Sequence, residues 1–174
     1  MGPRLPIPVD VALPNTRWHS VDSKEVGAGD AAFTAVRVDP NDISYTPVMS
    51  VRGSFRVDAS TLGMIADETL QSLRQSSSVA DLVKRTEIES GGAPAIVQLI
   101  EMDATIDGSR FDLYQAQVLQ AIVDSESPWK RIVLVFAVTC KFAQWSVVGP
   151  EFRDFVAEAR IVPGADEMLA AGRD

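Results

Sequence analysis

The sequence predicts an α+β protein, a mostly antiparallel sheet with helices packed on it. Three observations carry that prediction. Ile132 to Cys140 is apolar at both alternating sets of positions and rich in β-branched residues, which suits a central strand buried on both faces. Asp107-Gly108 stands between two long alternating runs, the strongest hairpin signal in the chain. Only two stretches, from Leu62 and from Val148, switch to a helical period, and a doubly wound parallel sheet would need more helices.

In chain order, residues 1–8 hold three prolines among apolar residues and read as an extended arm. Residues 9–162 read as one domain and 163–174 as a weakly helical tail beyond Pro163-Gly164. Val9 to Leu13 alternates and ends at Pro14, a short first strand, and Trp18 follows a turn where it would close one end of the sheet. Phe33 to Val38 is a strand by its β-branched pattern. Asp39-Pro40-Asn41-Asp42 is turn chemistry, since Pro presets φ and Asn or Asp tolerate turn positions. Tyr45 to Val57 is the next strand, with Gly53 marking a bulge or bend. Asp58 or Ser60 then caps a helix whose apolar face is Ile65, Ala66, Leu70 and Leu73 and which ends at the serines 76–78.

The second half of Val79 to Ser90 reads as a strand leading into a Gly91-Gly92 turn. Pro94 to Ile106 and Phe111 to Val123 are the arms of the Asp-Gly hairpin; the second is rich in helix formers but is read as strand from its place. A turn through Pro128 leads to the central strand. After a short polar break, Phe152, Phe155, Val156 and Ala159 fall at i, i+3, i+4 and i+7 and predict a closing helix that covers the sheet.

The totals exclude several functions. At 174 residues the chain can bury one sizeable core without disulfides or metals. A net charge of -8 repels phosphate backbones, so nucleic acid is not an expected partner. No stretch approaches the roughly 18 uninterrupted apolar residues of a spanning helix. The proline-rich start lacks the apolar core of a secretory signal, which as written places the protein in the cytoplasm; a removed leader would place it in the cell envelope or outside.

No catalytic constellation emerges, and no enzyme activity, metal or cofactor is expected. Gly27-Ala28-Gly29 imitates part of a dinucleotide loop, but a strand and not a helix follows it. The Asp39–Asp42 oxygens lack the remaining ligands of a calcium loop. His19 is the single histidine, so it would have to serve as the base of any nucleophile, and no serine lies in a nucleophile elbow. Glu101 and Asp103 would share one strand face, where paired acids can divide proton work but more often form a solvated face. Cys140 lies in the apolar run and reads as packing.

What remains is surface. Trp18, Trp129 and Trp145, with His19 beside the first, fall at predicted strand ends or loops and are the candidate ligand- or partner-binding residues. Gathered, they would form a pocket or contact surface; apart, they would be lids on the core.

The opening VALPNTRW, the strand YTPVMSV, the helix after Asp58 and the ending VGPEFRDFVAEARI together resemble the Mog1/PsbP-like superfamily, in particular the LpqN-type lipoproteins of actinobacteria. The resemblance spans residues 9 to 161 and implies an α/β/α sandwich around an antiparallel sheet. It implies a noncatalytic protein-interaction or accessory module, with no catalytic set to carry over; the alternative is a small-molecule or lipid binding protein with a pocket between sheet and helices. A homodimer is compatible with either. This sequence lacks the signal and lipobox cysteine of the LpqN pattern, so surface anchoring is not implied.

Overall fold

The computed structural model describes residues 9–26, 29–90, 93–123 and 130–161. The arm 1–8, the Gly27-Ala28 and Gly91-Gly92 steps, the loop 124–129 with Pro128 and Trp129, and the tail 162–174 lie outside the described residues.

Seven antiparallel strands form the main sheet in the order β2-β3-β4-β8-β7-β6-β5. These are β2 (Trp18–Ser20), β3 (Phe33–Arg37), β4 (Val48–Arg56), β5 (Ala80–Ser90), β6 (Ala93–Ile106), β7 (Ser109–Val123) and β8 (Arg131–Lys141). β8, the apolar run, is the middle strand and is paired along its length with β4 and β7. Its alternation feeds two cores. Ile132, Leu134, Phe136, Val138 and Cys140 pack with Val148, Phe152 and Phe155 of α2 (Trp145–Glu158) on one face. Val133 and Val135 pack with Ile65 and Ala66 of α1 (Leu62–Ser76) on the other. This is the expected antiparallel α/β/α layering, and a two-faced strand is apolar throughout because neither face is wet. The β6-β7 turn has φ of 51° at Asp107 and 80° at Gly108, the pair of positive values a type I′ hairpin needs.

Several boundaries differ from the sequence reading, each for a local reason. The cap of α1 is Thr61, whose side chain accepts from Met64 N. Asp58 is occupied instead by Ser60 N at 3.1 Å and Arg56 Nε at 3.0 Å. Gly53 carries no bulge: the β4-β8 register runs unbroken from Val48↔Thr139 to Arg56↔Arg131. The irregularity lies in β5, between Leu82 and Lys84. All of Ala80–Ser90 is strand, not its second half alone. No polar break precedes the last helix; a 3-10 turn, Phe142–Gln144, runs directly into it, and Pro150 sits inside it. That helix stops at Glu158, because Arg160–Ile161 (β9) leaves to pair with Val9–Asp10 (β1) in a second, two-stranded sheet.

The two helices are staggered. α1 lies over β5, β6 and β7 on its face, and α2 over β7 and β8 on the other. Each face of the sheet therefore has one half that its helix does not cover.

Candidate functional site

The uncovered half on the α2 side is mixed, an apolar centre of Val97, Leu99, Val118 and Ile88 bordered by Lys84, Glu101 and Gln120. Leu99 packs at the margin of the α2 core, and strand alternation places Val97 and Glu101 beside it on β6. Register adds Thr86 of β5 opposite Val97, Ile88 opposite Ala95, and Val118 of β7 on the inner side. Val97 is 36% and Ile88 42% exposed, with no helix above them among the described residues. The inner rim is aromatic: Tyr114 stacks on Phe142 with centroids 4.3 Å apart and meets Trp145 edge-on at 5.8 Å. Phe142 itself is 42% exposed. An apolar centre with an aromatic border and charged residues at its margin is the composition of an interface, where area and not acid-base chemistry does the binding.

Of the predicted site residues, the three that are described, Trp18, His19 and Trp145, do not share one surface. Trp145 opens α2, its ring lying on Gly149, where an added Cβ would stand 3.1 Å from the indole. Trp18 lies in β2 at the far edge of the sheet, 2% exposed, with its Nε1 donating to Glu151 at 3.0 Å. His19 follows it and is exposed on the opposite side of that edge strand. Trp129 lies outside the described residues. Trp18 is thus a core residue, and of the two described tryptophans Trp145 borders the open face.

Around Trp18 a buried charge pair fastens the edge. Arg37 of β3 donates from Nε to Glu151 Oε2 at 2.8 Å and from Nη2 to Oε1 at 3.2 Å, and Asn15 donates to Oε1 at 2.8 Å. Burial pushes the Glu151 carboxyl up, but the bonds from Arg37, Trp18 and Asn15 outweigh it and hold it below the usual carboxylate range. Bonding to Glu151 raises Arg37, so the pair stays ionised.

The α1 side carries residues that sequence reading missed. Gln98 of β6 donates to Gln117 of β7 at 2.7 Å, Thr69 of α1 donates to the same oxygen at 2.8 Å, and Gln117 donates to Gln115 at 2.6 Å. Arg85 of β5 closes the row, giving Nε to Gln98 at 2.9 Å. Next to it a cleft of about 310 Å³ opens between α1 and β4, floored by Val133 and Val135 and walled by Arg52, Arg56, Glu68 and Thr69. Its guanidiniums are answered locally, Arg52 by Asp30 at 2.9 Å and Arg56 by Glu68 at 2.9 Å. The signal in the sequence was the alternating glutamines of YQAQ inside an apolar strand. The pairing across strands that joins them appears only in the fold.

The acids and the thiol have structural occupations. Asp103 accepts from Ser78 Oγ, from Val79 N at 3.0 Å and from Arg110 at 3.3 Å, and the Ser78 and Val79 bonds hold it below its ordinary value. It ties the α1-β5 connection to β6. Cys140 is fully buried, and burial pushes its thiol up to about 12, the inert end of cysteine chemistry. The Asp39–Asp42 stretch is a turn, Asp39 accepting from Asn41 N at 2.9 Å. Among the described residues no group of three or more His, Cys, Asp or Glu could hold a metal, and no helix is long and apolar enough to cross a membrane.

No family model matches the chain, and no curated protein matches it. Solved structures do. LpqN, described as involved in cell envelope biogenesis of Mycobacterium tuberculosis, superposes with a TM-score of 0.58 at 15% identity, over 89% of this chain and 83% of its own. The solution structure of cyanobacterial PsbP from Synechocystis gives 0.54 at 12% identity, over 90% and 92%. The chain has the Mog1/PsbP-like fold, related to that of LpqN. At these identities the likeness is one of architecture.

Proposed function

We propose that this Mog1/PsbP-like protein is a noncatalytic interaction module that holds another protein on the uncovered α2-side half of its sheet. The observation that carries the reading is the stagger of the helices, which leaves Val97 and Ile88 exposed beside the Tyr114–Phe142–Trp145 border. A partner covering Val97, Leu99 and Ile88 would gain roughly 25 cal/mol for each Å² of apolar surface removed from water. The aromatic rim supplies the large, stiff side chains that anchor interfaces. LpqN is described as involved in envelope biogenesis, so the envelope fraction is the first extract to test.

The test is affinity capture with the wild type and with Val97→Glu, which puts a charge in the middle of the face while leaving both cores intact. A protein retained by the wild type and lost by a folded Val97→Glu supports the reading. Identical retention by both, or no retained protein, contradicts it.

A second reading rests on the α1-side cleft. Its 310 Å³ and mixed apolar floor and polar walls suit a small polar ligand better than a lipid tail. A thermal-shift screen of small carboxylates and sugars tests it, with Thr69→Val abolishing any shift.

A further inference from the structure

We propose that the protein pairs with a second copy of itself along β5, extending the two sheets into one across a two-fold axis at Thr86. The sheet has two edges of different kinds. β2 is 3 residues long, whereas β5 is 11 residues long with nothing paired on its outer side among the described residues. Exposed edges of that length offer a row of backbone donors and acceptors to another strand.

The side chains of β5 select the strand that fits. In a continuous antiparallel sheet, opposite residues share a face, so self-pairing is restricted to registers in which a residue faces itself on the axis. Centring on Arg85 sets Arg85 against Arg85, and centring on Glu87 sets Glu87 against Glu87; like charges directly opposite are unfavourable. Centring on Thr86 sets Arg85 against Glu87 twice, Thr86 against Thr86, and the Lys84 stem against Ile88. That register alone of the three is complementary.

The single chain leaves Glu87, one half of this pairing, available. Glu87 is exposed and makes no ion pair with a described residue. Arg85 spends Nη1 on Asp67 at 2.8 Å and Nε on Gln98, and its Nη2 is buried without a hydrogen-bond partner, so meeting Glu87 of a second copy requires the guanidinium to turn from Asp67 toward the edge. The bulge between Leu82 and Lys84 ends the straight part of the edge, which limits the ladder to Lys84–Ile88 and predicts a reversible dimer. The axis also brings the two exposed Ile88 side chains onto one side of the joined sheet.

The test uses the full chain. Opposite Cβ atoms in an antiparallel pair lie about 5 Å apart, so oxidised Thr86→Cys should give a covalent homodimer after a small local adjustment. Lys84→Cys and Ile88→Cys, which do not face themselves, should give at least tenfold less. Sedimentation equilibrium should show the wild-type mass rising with concentration from 18.8 kDa toward twice that, and Glu87→Arg staying monomeric with an unchanged circular dichroism spectrum. A wild type monomeric up to millimolar concentration overturns the proposal. So does equal cross-linking at the three positions, or a disulfide from Thr86→Cys to a different polypeptide.

Discussion

Arg37 meets Glu151 through two hydrogen bonds, 2.8 and 3.2 Å long, and so joins β3 to the second turn of α2. The pair is nearly closed to water, Arg37 being 9% and Glu151 16% exposed. Removing one member of such a pair leaves the other charge buried, which costs on the order of 3 kcal/mol. Glu151→Ala should therefore lower the urea midpoint sharply, and tryptophan emission should report it because Trp18 shares the same carboxylate. Asn15→Ala, which removes a more exposed contact to the same oxygen, should cost far less.

Acid should weaken the fold through the same groups. Glu151, Asp103, Asp58 and Glu68 all have folded-state values below their ordinary ones. Bonds from Arg56 dominate for Asp58 and Glu68, and bonds from Ser78 and Val79 for Asp103. A carboxyl depressed on folding contributes stability that is fully present above its unfolded value of about 4 and is lost as the pH falls through its folded value. The urea midpoint should hold from pH 7 to about 5 and fall below that. Glu151→Gln should be less stable at pH 7 and show a shallower fall.

The Gln98–Gln117 pair under α1 tests how much a buried polar row contributes. Gln117→Leu leaves the Gln98 amide and the Thr69 hydroxyl without their shared acceptor, which costs about 2 kcal/mol. Replacing both, in Gln98→Leu with Gln117→Leu, removes the stranded partner as well. The double variant should be less destabilised than the sum of the singles, as chemical denaturation of the four proteins will show.

Gly149 sits where a methyl group would press on Trp145, 3.1 to 3.3 Å from its ring atoms. Alanine favours a helix by up to about 1 kcal/mol over glycine, yet here the indole must move and overpacking outweighs that gain. Gly149→Ala should be less stable than the wild type by about 1 kcal/mol and should shift the Trp145 emission.

Legibility in the sequence followed how local each signal was. The Asp107-Gly108 hairpin and the apolar β8 could be read directly, because a turn needs two adjacent residues and a two-faced strand has an apolar run. Gly53 misled because a glycine in a strand signals either a bulge or nothing, and here the ladder passes through it. The end of α2 was hidden because Arg160 is drawn away by Asp10, some 150 residues earlier in the chain. The site was least legible. Trp18 read as either a lid on the core or part of a contact surface, and its bond to Glu151 of α2 decides for the core, whereas Val97 and Ile88 looked like ordinary strand residues. Their exposure depends on where α2 stops covering the sheet, a property of helix placement that neither residue encodes.

Photocrosslinking in the native cell tests the open-face account most directly. A benzophenone amino acid replacing Val97, and in a second variant Phe142, should give an adduct with the same protein. At Met64, which is 53% exposed on α1 across the sheet from that face, it should give none. Adducts at Met64 but not at Val97 or Phe142, or no adduct at any of the three, would contradict it.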